Sequence, residues 1–216
     1  MNAVEEIIEP LRDIDWNNTE AVHTATRPVL DELAADRQLL RSSALAALDD
    51  KKLLSLCEHY DILDKIVMFS DPCGIRLRLH VFQPGYIDRP HNHRWTYSSR
   101  LLRNRYLHRI YGDAEIDSSL HPGKLDAVHV REEVVGSTYT LSHKAIQAVV
   151  AEPGTVSLVV RGPAVADRFL VMDAATGAAW WQYGAAMESE EDSRKKRMSR
   201  ERMSEVIDQL IDWRIL

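Results

Sequence analysis

The chain has 216 residues, 45% hydrophobic and 28% charged, with a formal net charge of −6. That length allows one compact domain with terminal additions, and the composition is ordinary for a globular protein. The acidic balance argues against a general affinity for nucleic acid or anionic membrane, and no apolar run approaches the roughly 18 residues that span a bilayer.

Residues 1–18 carry Ile7, Ile8, Leu11, Ile14 and Trp16 among acids, which reads as an arm or short helix packed on the main body. The acidic start lacks the shape of a signal peptide, and two cysteines, Cys57 and Cys73, make no disulfide framework. The expectation is a reduced, cytoplasmic setting. From Thr26 the pattern turns helical, with Thr26 as cap, Pro28 in the first turn and Val29, Leu30 and Leu33 as an apolar stripe. Leu39, Leu40, Ala44 and Leu48 predict a second helix. Asp49 or Asp50 caps a third that carries Leu53, Leu54, Cys57 and Tyr60, with Cys57 as a buried structural thiol.

Strands dominate from residue 62 to 172, over 65–69, 75–82, the segment around 91–93, 105–111, 127–135, 137–141, 146–151, 155–160 and 169–172. Turn signals separate them at 71–74, 112–113, 121–123, 136, 152–154 and 161–163. Many short strands with such turns predict a sandwich, jelly roll or barrel. Residues 179–183, with Trp180, Trp181 and Tyr183, read as a plug over one side of the barrel, or else as a substrate wall. Residues 188–202 read as a charged, mobile linker or lid stalk. Met203, Val206, Ile207, Leu210 and Trp213 make a closing amphipathic helix, whose stripe docks on the barrel or on the second subunit of a homodimer.

The stretch Gly85-Tyr-Ile-Asp-Arg-Pro-His-Asn-His-Arg-Trp95 carries two imidazoles at i and i+2. On a strand both would point to one face, giving half of a first-row metal site. Gly85, five residues, then His91-x-His93 is the opening of the first cupin motif, and Asn104 takes the glycine place of the turn that ends that motif. Over roughly residues 62 to 175 the chain resembles the cupin superfamily, most closely the cysteine-dioxygenase-like (thiol dioxygenase) cupins. The resemblance implies a mostly β fold, a cupin double-stranded β-helix (jelly-roll barrel), with an N-terminal helical segment and a C-terminal helix. The expected organisation is a helical extension over 1–61, the barrel over 62–184 and a linker with closing helix over 185–216, in one compact domain.

The family's usual glutamate would fall four or five residues after His93, where Tyr97 and Ser98 stand; thiol dioxygenases lack it too and hold iron with three histidines. The second cupin motif starts at Gly136, but its histidine place is Gln147, while His143 stands four residues earlier. His91, His93 and either His143 or Gln147 are therefore the candidate metal ligands. Lys65 lies at the distance of the family's carboxylate-binding arginine, and Arg161 follows a strand that keeps only Ser157 of the family's Ser-x-His-x-Tyr. Both are candidates for holding an anionic group, and Tyr97 for positioning or protonating an oxygen intermediate. His80 is read as either pocket-lining or exposed, and for His108 an inward place as a spare ligand is the lesser of the readings; His23, His59, His121 and His129 are read as surface or packing residues.

The resemblance implies a non-haem iron dioxygenase or oxygenase acting on a small, polar, amino-acid-like or anionic molecule, with a divalent ion, Fe(II) first and Zn, Mn or Ni as alternatives. Loss of the histidine and tyrosine of Ser-x-His-x-Tyr counts against cysteine as substrate. Two rivals stay open at this point. One is a cupin using its metal as a Lewis acid in an isomerase, lyase or condensing step; the other is a non-catalytic cupin that binds a small ligand.

Overall fold

A computed structural model describes residues 3–85, 88–113, 126–173, 176, 178–184, 187 and 189–216. The expected turn at 121–123, His121 and residues 86 and 87 of the His-x-His stretch lie outside them. The N-terminal arm is helix α1 (Ala3–Ile8) and a 3-10 turn (Glu9–Leu11), pinned by buried Val4, Ile8, Leu11 and Trp16.

Helix α2 (Thr19–Ala35) starts seven residues before the expected Thr26 cap. Asn18 is the cap, accepting from Ala21 N–H, and Pro28 lies inside the helix. Thr26 is buried instead, where its hydroxyl donates to the Val22 carbonyl at 2.7 Å. Helix α3 (Arg37–Asp49) follows under the Asp36 cap, and the third helix, α4 (Lys51–Leu54), is shorter than expected. The chain leaves it for strand β1 (Glu58–Tyr60), whose pairing with β2 (Leu63–Ser70) overrides the local helical spacing.

The strands continue as β3 (Arg76–Phe82), β4 (Tyr97–Arg103), β5 (Tyr106–Asp113), β6 (His129–Glu133), β7 (Thr138–Leu141), β8 (Ala145–Ala151), β9 (Val156–Arg161), β10 (Arg168–Met172) and β11 (Ala179–Tyr183). One antiparallel sheet runs β1-β2-β3-β9-β4-β7; facing it are β6-β5-β8 and the pair β10-β11. This is a mostly β jelly roll with helices at both ends of the chain. Asn104, at the turn between β4 and β5, has φ of 56°, the left-handed conformation that asparagine tolerates.

The His-x-His segment is not a regular strand. It is an extended connection that stitches the smaller sheets together: His91 bridges both Gln147 of β8 and Val171 of β10. Between the two histidines, Asn92 donates its backbone N–H to the Leu170 carbonyl and accepts from Leu170 N–H on its side-chain oxygen at 2.7 Å.

The large sheet has an apolar face and a polar face. Leu77, Leu79, Val81, Val156, Leu158 and Val160 share one core cluster with Leu30, Leu33 and Leu40 of the helices. Each fully buried side chain of this kind contributes roughly 1.5–3 kcal/mol. The acid-then-base run forms helix α5 (Glu190–Lys196) rather than a plain linker, since acids in its first turn and bases in its last complement the helix dipole. Helix α6 (Arg200–Asp212) docks its stripe of Met203, Val206, Ile207 and Leu210 into the same cluster, against α3. Among the described residues no helix is long and apolar enough to cross a membrane.

Candidate functional site

With the apolar side of the large sheet given to the helices, period-2 alternation sends the opposite residues into the barrel. There they line a cavity of about 520 Å³, within the range of about 300–1,000 Å³ common for small-molecule sites. Lys65 comes from β2, Arg78 and His80 from β3, Ser157 and Arg161 from β9, and Tyr97 and Ser99 from β4. The facing wall adds His91, His93, Gln147, Phe169, Val171 and Trp180.

The two imidazoles look into this cavity side by side, with ring centroids 4.7 Å apart and planes at 77°. His91 Nδ1 lies 2.8 Å from the Arg89 carbonyl oxygen, to which a neutral ring donates its proton, leaving Nε2 as a lone pair. That Nε2 is 3.0 Å from the Gln147 amide. His93 Nε2 and Gln147 Oε1 are buried without a hydrogen-bond partner, as is His80 Nε2. Burial pushes His93 well below its ordinary pKa, with the charges of His91 and Lys65 adding to the shift. His80 is pushed the same way by burial and then by Lys65 and Arg78.

Of the residues singled out from sequence, His91, His93, Gln147, Tyr97, Lys65 and Arg161 all border the one cavity. His143 does not belong to that wall; its carbonyl accepts the backbone N–H of His93 at 3.1 Å. Ser98 faces away from the cavity, because it lies on the sheet's helix side. Its hydroxyl is 2.5 Å from that of Thr26 and 2.7 Å from that of Thr140, which in turn lies 3.0 Å from His23 Nδ1. Tyr97 therefore takes the inward place four residues after His93, its ring 4.6 Å from that imidazole. His108 is buried outside the cavity wall, with Nδ1 3.4 Å from Glu133 and its ring against Tyr139.

Lys65 Nζ sits 3.4 Å from Glu58 and over the ring of Tyr60. Burial alone would push the Glu58 carboxyl up, but Lys65, Arg78 and Lys196 hold it down at about 2. Arg161 donates Nη1 to the carbonyls of Gly74 and Gly162 at 2.9 and 2.8 Å and stacks 4.3 Å above Trp95. Burial and the neighbouring Arg78, Arg76 and Arg94 push its pKa down to about 8. Gly162 lets the Trp16 ring lie against the same loop, since a methyl group there would collide with that ring.

Sequence reasoning missed Arg78, Tyr106 and Tyr139, and of its two readings for Trp180 the wall rather than the plug matches the lining. Tyr106 and Tyr139 share a 2.6 Å hydroxyl contact at the cavity wall, and burial raises both phenols above their ordinary range. Trp180 is carried on β11, which pairs along β10, so the aromatic stretch is a barrel strand that contributes to the wall. The available signal was the helical preface itself: helices need an apolar sheet face, which leaves the polar face of β3 inside.

No protein-family model matches the sequence, and neither does any curated protein sequence. Among solved structures, the chain is similar to KdgF from a Halomonas species, at 14% identity and TM-score 0.38, over 48% of this chain and 82% of that one. It is similar to an RmlC-like cupin from Shewanella frigidimarina at 13% identity and TM-score 0.39, over 51% and 86% of the two chains. The DMSP lyase DddQ from Ruegeria pomeroyi matches at 9% identity and TM-score 0.38, over 50% of this chain and 51% of that one.

Proposed function

We propose that the protein is a metal-dependent cupin enzyme, a non-haem iron oxygenase acting on a small, polar, anionic molecule in the barrel cavity. The observation that carries this reading is the pair of inward imidazoles with the Gln147 amide beside them and buried, unpartnered donor atoms on His93 and Gln147. These residues fit a divalent ion of borderline softness, which accepts imidazole nitrogen and amide oxygen. Among the described residues no three of His, Cys, Asp or Glu come together as a ligand set; in this reading the third protein donor is the Gln147 amide, which is supported by its place beside His91 Nε2. Turning that amide over presents its oxygen toward His91 Nε2, and the two ends of an amide are alike in shape.

Three neutral donors leave coordination positions open, and iron held there would supply dioxygen activation beside the substrate. The chain's own residues do the rest. Arg161 and Lys65 attract an anionic group, the Tyr97 hydroxyl positions or protonates an oxygen atom, and Phe169, Val171 and Trp180 keep water away from the reacting end.

Metal analysis of protein purified without a histidine tag tests the reading, alongside oxygen uptake. The expected result is stoichiometric iron in the parent chain and background metal in His91→Ala and His93→Ala with unchanged circular dichroism. Full metal occupancy in His91→Ala, or none in the parent, defeats it. Bound zinc without oxygen uptake moves the reading to Lewis-acid chemistry at the same residues.

A further inference from the structure

We infer that Arg78 and Arg161, both stacked against Trp95, form the binding site for a doubly charged oxyanion, either a phosphoryl group or two neighbouring carboxylates. The inference deepens the reading of this cavity as the substrate site and does not depend on the metal. Arg78 is 6% exposed and Arg161 4%. Their guanidinium carbons lie 5.5 and 4.3 Å from the same indole ring. The Nε atoms of both are buried without a hydrogen-bond partner, and among the described residues neither arginine has a carboxylate within ion-pair distance.

The nearest compensating charge is already engaged: the Glu58 carboxylate lies 3.4 Å from Lys65 Nζ and 3.5 Å from Lys196 Nζ. Burial disfavours the charged form of each inward arginine; around Arg161 the like charges of Arg78, Arg76 and Arg94 add to it, whereas around Arg78 the Glu58 carboxylate opposes it. Glu58 is shared among Arg78, Lys65 and Lys196, so this wall carries more positive than negative charge out of the bulk water, a costly arrangement that an arriving anion relieves. A monoanion would leave one charge uncompensated, whereas a dianion matches both. The geometry suits oxygen acceptors: a guanidinium that stacks by its face keeps its edge for in-plane, bidentate hydrogen bonds. Arg161 is anchored by its two carbonyl contacts, so it is pre-positioned.

Calorimetric titration and thermal melting in Tris–chloride, with inorganic phosphate, malonate and acetate as probes, test this. Either phosphate or malonate is expected to bind saturably and raise the melting temperature by several degrees, with acetate at least about tenfold weaker. The dianion that binds identifies the group. Arg78→Met is expected to lose saturable binding and, without anion, to melt no lower than the parent, because it removes a charge that burial disfavours. Arg161→Lys keeps the charge but loses the fork and is expected to weaken binding more than about tenfold. Absence of saturable binding by both dianions, equal binding of acetate, retention in Arg78→Met, or an unfolded Arg78→Met would each overturn the inference. His91→Ala separates this from the metal reading: dianion binding is expected to survive there even as metal is lost.

Discussion

Two buried charge clusters on neighbouring strands behave in opposite ways. Asp64 of β2 faces the helices and is fully satisfied. Its two oxygens contact Arg202 at 2.7 Å, Gln83 at 2.6 Å and His59 at 2.6 Å. Arg78 of β3 faces the barrel, is nearly as hidden, and lies against Trp95 with no carboxylate in ion-pair contact among the described residues. The difference teaches where a ligand belongs. A polar group on the helix side is part of the structure's own hydrogen bonding, while the barrel's inner face holds donors and acceptors that the protein leaves unanswered.

The largest test of that contrast is Asp64→Ala. It leaves Arg202, Gln83 and His59 without their shared acceptor, and breaking such a buried pair costs about 3–5 kcal/mol, read by urea denaturation. A loss below about 1 kcal/mol would place Asp64 with the surface ion pairs and remove the contrast. Glu58 sharpens it at the barrel rim. Its carboxyl is held at about 2 against an ordinary 4.5, so its contribution is complete above pH 4.5 and is lost as pH falls toward 2. With about a quarter of the side chain facing water, that window is worth about 2 kcal/mol. Acid titration of stability should be flatter by that amount in Glu58→Gln, and identical curves would reject the pairing. The smallest effect is expected from Thr26→Val. It removes the hydroxyl contacts to Val22 and Ser98 at about 1 kcal/mol, measured by thermal melting, with no change in cavity binding.

The same contrast explains what the sequence made legible. A sandwich, jelly roll or barrel could be read from short strands with regular turns, the jelly roll in particular from the resemblance to cupins, and the inward pair from His91 and His93 at i and i+2. The turn at Asn104 was readable because few side chains accept its left-handed backbone. Helix boundaries were harder. Thr26 has the chemistry of a cap, but Asn18 caps α2, and the Thr26 hydroxyl joins Ser98 across the helix–sheet contact. The hardest feature was the orientation of β3. Alternation shows that Arg78 and His80 share a face, yet a strand beside solvent and a strand lining a polar chamber have the same pattern. Only the helical layer on the other side decides between them. Gln147 posed a related difficulty: its place in the motif made it a candidate beside His143, but only the structure puts its amide next to His91.

The packing of Trp16 over Gly162 has a consequence for anyone who would trim this chain. The ring closes the back of the loop whose carbonyl holds Arg161, so the first eighteen residues help to set the arginine's aim from outside the barrel. A fragment starting at residue 62 would also expose the greasy row of Leu77, Leu79, Val81, Val156, Leu158 and Val160. Such a piece would be sticky and poorly aimed, which makes the helical wrapping as much a part of the chamber as the strands that face it.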